Sequence, residues 1–387
     1  MSSDLRLAAR TAKIAPFQVM ELVKRAVALE RAGRPVIHLS IGEPDFTAPE
    51  PVVAALERAA RAGHTQYTAA VGLPELREAI SRDYRDRHGV DVDPSRIVVT
   101  AGASAALSLA CCALVDVGDE VLVTDPSYPC NRHFVAAFDG VARTVPVFAD
   151  TRFQMTEALL AANWGPRARG ALLASPANPT GTSIPFDELG RIVAAVRARG
   201  GFTIVDEIYL GLTYEGRARS ALELGDDVIV VNSFSKYFHM TGWRLGWLVV
   251  PPSAAATFEK LSQNLYICAS TLAQHAALAC FGPDALATFE ARREAFRARR
   301  DYIVPAMREI GLDVPVMPDG AFYAWLDCSR FGDSGALAAR LLEEASVSLV
   351  PGHDFGANEP GRWMRLSYAT AREKLEEAVA RIARRLG

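Results

Sequence analysis

Val228-Ile229-Val230-Val231-Asn232-Ser233-Phe234-Ser235-Lys236 is a β-branched apolar run that ends in hydroxyls and a lysine. Successive side chains of a strand point to opposite faces, so an unbroken apolar run reads as a strand covered on both sides. The polar residues that follow then lie at the strand's carboxyl end. The lysine is conspicuous for a second reason. Of 42 basic residues only five are lysine: Lys13, Lys24, Lys236, Lys260 and Lys374. Arginine serves the solvated faces of this chain. Lys24, Lys260 and Lys374 lie in charged, helix-like stretches and Lys13 lies near the N-terminus, whereas Lys236 sits among Phe234, Tyr237 and Phe238. Arginine cannot replace an amine nucleophile, because it stays protonated.

Outward from this strand the same pattern repeats. Short apolar runs at 97–100, 121–124, 171–174, 203–205 and 245–250 alternate with helix-like stretches, notably 103–115 and 186–199. That alternation predicts an α/β fold with a mostly parallel central sheet flanked by helices. Before it come helical patterns at 17–33, 49–62 and 73–87, with an extended segment at 36–41. After it come a long charged helix at about 283–309, a strand-like 321–326 and a last helix from about 371. We expect a large domain over 45–285 and a smaller α/β domain over 286–387, which the N-terminal segment 1–44 joins.

In open α/β sheets ligands bind beyond the carboxyl ends of the strands. Gly102-Ala103-Ser104 follows the run at 97–100 and opens a helix, which is a seat for an anion. Tyr128 follows 121–124, Asn178 in Asn178-Pro179-Thr180-Gly181 follows 171–174, and Asp206 with Glu207 and Tyr209 follows 203–205. Each has a plain structural alternative: a turn glycine, a packed tyrosine, a rigid turn, a helix cap. Their gathering at one sheet edge, with Lys236, is what points to a site.

Composition narrows the class. The 387 residues carry a net charge of −3, which leaves no electrostatic footprint for nucleic acid. No apolar run reaches the roughly 18 residues of a membrane span, and Met1 to Arg10 holds no secretory h-region, so a cytoplasmic protein is expected. The cysteines at 111, 112, 130, 268, 280 and 328 form no C-x-x-C pair and read as buried thiols, and the histidines form no metal motif. Nicotinamide, P-loop and nucleophile-elbow signatures are missing from the sequence.

Together, Ile41-Gly42-Glu43-Pro44-Asp45-Phe46, Tyr67 through Gly72-Leu73, Gly102-Ala103-Ser104, Tyr128-Pro129, Asn178-Pro179-Thr180-Gly181, Asp206-Glu207-Ile208-Tyr209, Ser233-x-Ser235-Lys236 with Thr241-Gly242-Trp243-Arg244, and Arg365-Leu366-Ser367-Tyr368 resemble the class I/II aminotransferases of the aspartate aminotransferase superfamily. The resemblance runs from about residue 14 to the C-terminus. It implies fold type I of the pyridoxal-5′-phosphate enzymes and a ping-pong transfer of an amino group from an L-amino acid to a 2-oxo acid. It implies that Lys236 binds the cofactor covalently and shuttles a proton at the substrate Cα. Asp206 would hold the pyridine nitrogen protonated, Tyr209 and Asn178 would bond the phenolic oxygen, and Tyr128 would stack on the ring. Ala103, Ser104, Ser233, Ser235 and Arg244 would hold the phosphate. Tyr67 would reach the partner's phosphate in a homodimer with shared sites. Arg365 would clamp the substrate carboxylate, beside Asn178 and the backbone of Gly42.

Two positions depart from dicarboxylate-selective relatives. Ser104 stands where those relatives often carry a lysine, and Tyr128 where they often carry tryptophan. With Phe17 and Ile41 as expected lining, this favours an uncharged substrate such as alanine, a branched-chain or an aromatic amino acid. A partner arginine could still serve aspartate or glutamate, although 262–274, which by family position approaches the partner's site, holds none. A carbon–sulfur β-lyase on the same scaffold is the enzymatic alternative. A ligand sensor fused to a DNA-binding domain is the non-enzymatic one, which the early start of the α/β body disfavours.

Overall fold

In the computed structural model, residues 5–16 and 19–386 are described. Phe17 lies outside them. Among the described residues the strands are β1 (Ile37–His38), β2 (Ile97–Thr100), β3 (Glu120–Asp125), β4 (Val141–Pro146), β5 (Ala168–Ala174), β6 (Phe202–Asp206), β7 (Ile229–Ser233), β8 (Gly246–Val249), β9 (Tyr323–Asp327), β10 (Val347–Ser348), β11 (Val350–Pro351) and β12 (Trp363–Ser367).

Seven of them form one sheet in the order β2-β8-β7-β6-β5-β3-β4. The pairs β3/β4, β3/β5, β5/β6 and β6/β7 are parallel, and only the two pairs made by β8 are antiparallel. The sheet is thus mixed and mostly parallel. Because β8 alone runs backwards, the carboxyl ends of β2, β3, β5, β6 and β7 share one edge with the start of β8. All the motifs at strand ends therefore meet there.

Side-chain alternation explains the apolar runs. Ile97, Val99, Leu122, Leu173, Val205 and Val230 pack into the core on one face, while Val98, Val121, Val123, Leu172, Ile204 and Val231 pack into the core on the other. Helices cover both faces, among them Ala103–Leu114 and Phe186–Ala198. β4 is the exception. It lies at the sheet edge with most residues exposed or half-buried, and it carries Arg143 and Pro146. A one-sided, charged edge strand has no continuous apolar signal, and so the sequence does not announce it.

The N-terminal segment meets the C-terminal one. β1 pairs in parallel with β10, and Ala26 and Leu29 of the helix Val19–Arg31 pack on Leu342. Only Ile37 and His38 of the expected extended segment are in a strand. β12 lies between β11 and β9 in an antiparallel sheet, which brings Arg365 opposite Trp325.

Candidate active site

The strand ends line a cavity of about 480 Å³. At its floor Asp206 ends β6, and the carboxylate Oδ1 accepts the Ile208 N–H at 3.0 Å. Burial pushes this carboxyl up to about 6, against the pull of that N–H and of Lys236. Glu207 turns away and accepts from Ser220 Oγ at 2.9 Å and the Ala221 N–H at 2.6 Å. Lys236 donates to the Gly42 carbonyl at 2.6 Å. Burial brings its ammonium down to about 8, and Glu43 opposes that fall. A lysine so placed is neutral for a useful fraction of the time near neutrality, which a nucleophile requires.

The corner where the sequence leads one to expect an anion seat is shaped by glycines. Gly102 has φ of +82°, and a Cβ there would stand 2.5 Å from Arg244 Nη2. The Arg244 guanidinium thus lies against the bare Cα at the mouth of the helix Ala103–Leu114. A Cβ on Gly246 would stand 2.9 Å from the Ala103 nitrogen, so β8 and the helix start touch only because that side chain is missing. The first N–H groups of the helix have no intrahelical acceptor. Ser235 and Ser104 line the same corner. Ser233 does not. Its Oγ lies 3.0 Å from the Leu245 carbonyl and accepts the Ser235 N–H at 3.0 Å. The chain turns at the end of β7, so Ser235 faces the cavity and Ser233 braces it from behind.

Arg365 rises from β12 and is 7% exposed. It donates to Asn178 Oδ1 at 3.0 Å and to the Ser40 carbonyl at 2.7 Å. Its Nε is buried with no partner among the described residues. Rings flank the guanidinium, with Tyr323 at 4.6 Å and Phe355 at 5.0 Å. An arginine can only donate, so it claims the oxygen of Asn178 and leaves the amide's donor end for the cavity. Gly181, with φ of +68°, packs against the Tyr323 carbonyl, where a Cβ would stand at 2.5 Å. That close approach fixes the Asn178 loop on the segment that leads into β9.

Much of the remaining wall is apolar, with Val19, Met20, Val23, Ile41, Leu107, Tyr128, Val350 and Phe355 beside the acids Glu43 and Asp354. Asp354 Oδ2 accepts the Val19 N–H at 2.8 Å and ties the first helix to this wall. Tyr67 is 79% exposed and does not line the cavity of its own chain. Sequence reasoning missed Tyr323, Val350, Asp354 and Phe355, which carry no local motif. The residue set fits a flat, phosphate-bearing cofactor with a basic ring nitrogen: a cationic seat, a buried acid, an aromatic plate and a lysine all face one space.

A family model described as aminotransferase class I and II matches residues 34–382. Over 374 residues, 96% of each chain, the sequence is 40% identical to the valine–pyruvate aminotransferase of Mycobacterium tuberculosis. The fold matches the crystal structure of an aminotransferase from Mycobacterium tuberculosis with a TM-score of 0.95, at 40% identity and 99% coverage of both chains. It matches Thermus thermophilus aspartate aminotransferase with maleate at a TM-score of 0.92, with 34% identity and coverage of 98% of this chain and 99% of that one.

Proposed function

Because the chain belongs to the class I and II aminotransferases, enzymes that use pyridoxal phosphate, we propose how its residues divide that work and which substrates it takes. Bound in this cavity, pyridoxal phosphate supplies a carbonyl that condenses with amines and a protonated ring that draws electrons from the substrate Cα. Lys236 would hold it covalently and, once released, would take the proton from the substrate Cα. Asp206 would hold a proton on the ring nitrogen, and Tyr128 would offer its face to the ring. Tyr209 and Asn178 donate to the phenolic oxygen. Ala103, Ser104, Ser235 and Arg244 hold the phosphate, and Arg365 grips the substrate carboxylate beside the backbone of Gly42.

We propose an uncharged donor: alanine, a branched-chain or an aromatic amino acid. The observation that carries this reading is the charge of the cavity wall. Among the described residues that line it, the cations are Lys236, Arg244 and Arg365, and each already has a task. The other charged lining residues are the acids Glu43, Asp206 and Asp354. A second substrate carboxylate would meet no cation of its own, and an unpaired buried carboxylate costs several kcal/mol. The relative named valine–pyruvate aminotransferase supports the same choice. We expect kcat/KM for valine, alanine or phenylalanine to exceed that for aspartate by about tenfold or more, since each 1.4 kcal/mol is tenfold. Half-reaction rates with aspartate, alanine, valine and phenylalanine measure this. Aspartate as the best donor would mean that a cation from elsewhere enters the site.

We further propose a homodimer with shared sites, on the exposure of Tyr67 and on the family resemblance. A Tyr67→Phe subunit paired with a Lys236→Ala subunit gives one site with both defects and one with neither. The purified heterodimer should show about half of native activity. Activity no higher than half that of the Tyr67→Phe homodimer would mean that each chain completes its own site.

A further inference from the structure

Tyr323 belongs to none of the motifs, yet it touches the site at three points. Its hydroxyl lies 2.9 Å from the Tyr209 hydroxyl. Its ring lies under the Arg365 guanidinium, with Cζ 4.6 Å from the ring centre. Its hydroxyl also lies against Gly42, where a Cβ would stand 3.2 Å away, and the Gly42 carbonyl is the acceptor for Lys236. The strand register explains the placement. β9 and β12 pair Tyr323 with Ser367 and Trp325 with Arg365, so Tyr323 and Arg365 are diagonal neighbours on one face.

The contact itself allows either phenol to donate, and what surrounds them favours one direction. Burial raises both hydroxyls above the usual tyrosine range, so both keep their protons. Around the Tyr323 hydroxyl are the side-chain-free face of Gly42, which offers no acceptor there, and Arg365, which can only donate; Glu43 acts on it by charge, without a hydrogen bond. Among the described residues, the acceptor within hydrogen-bond distance is the Tyr209 oxygen. A proton given by Tyr323 to that oxygen leaves the Tyr209 proton to point elsewhere. The same logic holds for Asn178, whose oxygen Arg365 occupies.

We propose that Tyr323 is a positioning residue: it donates to Tyr209 and thereby aims the Tyr209 proton at the phenolic oxygen of the cofactor. This rests on the reading that Tyr209 bonds that oxygen. Tyr323 and Arg365 then act as a pair. The carboxylate-binding arginine sets the donor end of Asn178, and the tyrosine beneath it sets the donor of Tyr209.

The test is an absorbance titration of the holoenzyme with pH. A donor at the phenolic oxygen spreads its negative charge and so weakens proton binding at the nearby nitrogen that joins the cofactor to Lys236. Removing the donor should raise the titration midpoint. Tyr209→Phe should raise it most. Tyr323→Phe, which removes one oxygen and almost no volume, should raise it by about 0.4 to 1 unit, the net worth of one hydrogen bond. In the Tyr209→Phe background, Tyr323→Phe should add nothing, because it acts through the missing hydroxyl. Near-ultraviolet circular dichroism checks that each variant keeps its packing. If Tyr209→Phe shifts the midpoint and Tyr323→Phe does not, the inference about Tyr323 falls and the role of Tyr209 stands. An equal Tyr323→Phe shift in both backgrounds also overturns it. If Tyr209→Phe leaves the midpoint unmoved, the role of Tyr209 falls first and that of Tyr323 with it.

Discussion

Lys236→Ala should fold, bind pyridoxal phosphate without a covalent link, and lose about four orders of magnitude or more in kcat. On the proposed roles two functions leave with one amine: the nucleophile that binds the cofactor, and the base that moves the proton at the substrate Cα. The fold should survive, because among the described residues the side chain's one hydrogen bond is to the Gly42 carbonyl, and it lies at a cavity wall. Lys236→Arg should be as inactive as alanine. Arginine keeps the charge and the donor, but its guanidinium stays protonated and cannot attack. Single-turnover rates for the two variants, read against native enzyme, make the comparison. An arginine variant with substantial activity would mean that charge, and not the free amine, is what this position supplies.

Asp206→Asn should bind the cofactor and lose about 100-fold or more in kcat, the range typical of removing one preorganised electrostatic partner from a buried site. The observed turn makes this substitution informative. Asparagine can still accept the Ile208 N–H through Oδ1, so the local backbone keeps its cap. What it cannot keep is the negative charge that, on the proposed role, would hold a proton on the ring nitrogen. A turnover near native would assign Asp206 to the turn alone. The protein without cofactor gives an independent reading. Burial raises the Asp206 carboxyl to about 6, so in the folded state its charge is disfavoured relative to the unfolded chain. That cost is absent below the ordinary carboxylate range, grows as pH rises toward 6, and is complete above it. The cofactor-free Asp206→Asn protein should therefore match the native Tm in acid and equal or exceed it at pH 8. Binding of the cofactor should reverse the order. A native protein more stable than the variant at pH 8 without cofactor would show that the acid is already compensated by the protein.

The legibility of this chain in its sequence follows burial. Strands covered on both faces, such as Val228 to Val231 and Ile97 to Thr100, write themselves as continuous β-branched runs; the second stands at its expected limits, and the first begins one residue later and ends two residues later than expected. β4 is covered on one side only, and β1, β10 and β11 have two residues each, too few for any period. The site divides in the same way. Ser104, Tyr128, Asn178, Asp206, Tyr209, Ser235 and Lys236 follow strands closely, so a reader of strand ends meets them in order. They line one cavity because β8 alone runs backwards. The remaining wall is assembled by distant contacts. Arg365 takes its acceptors from Ser40 and Asn178, 325 and 187 residues away. Asp354 meets Val19 across 335 residues. Tyr323 reaches the site through strand register, which no local pattern encodes. Ser233 was legible as a hydroxyl near the seat, but the turn after β7 passes that place to Ser235.

Whether Lys236 is the residue on which this chain carries its cofactor can be read by trapping the link. Borohydride converts the covalent bond between lysine and pyridoxal phosphate into a stable amine, and peptide mapping then locates it. With only five lysines in the chain the answer is unambiguous. One label per chain is expected, on the peptide that contains Ser233-Phe234-Ser235-Lys236. Label on Lys13, Lys24, Lys260 or Lys374, with Lys236 unmodified, would contradict it.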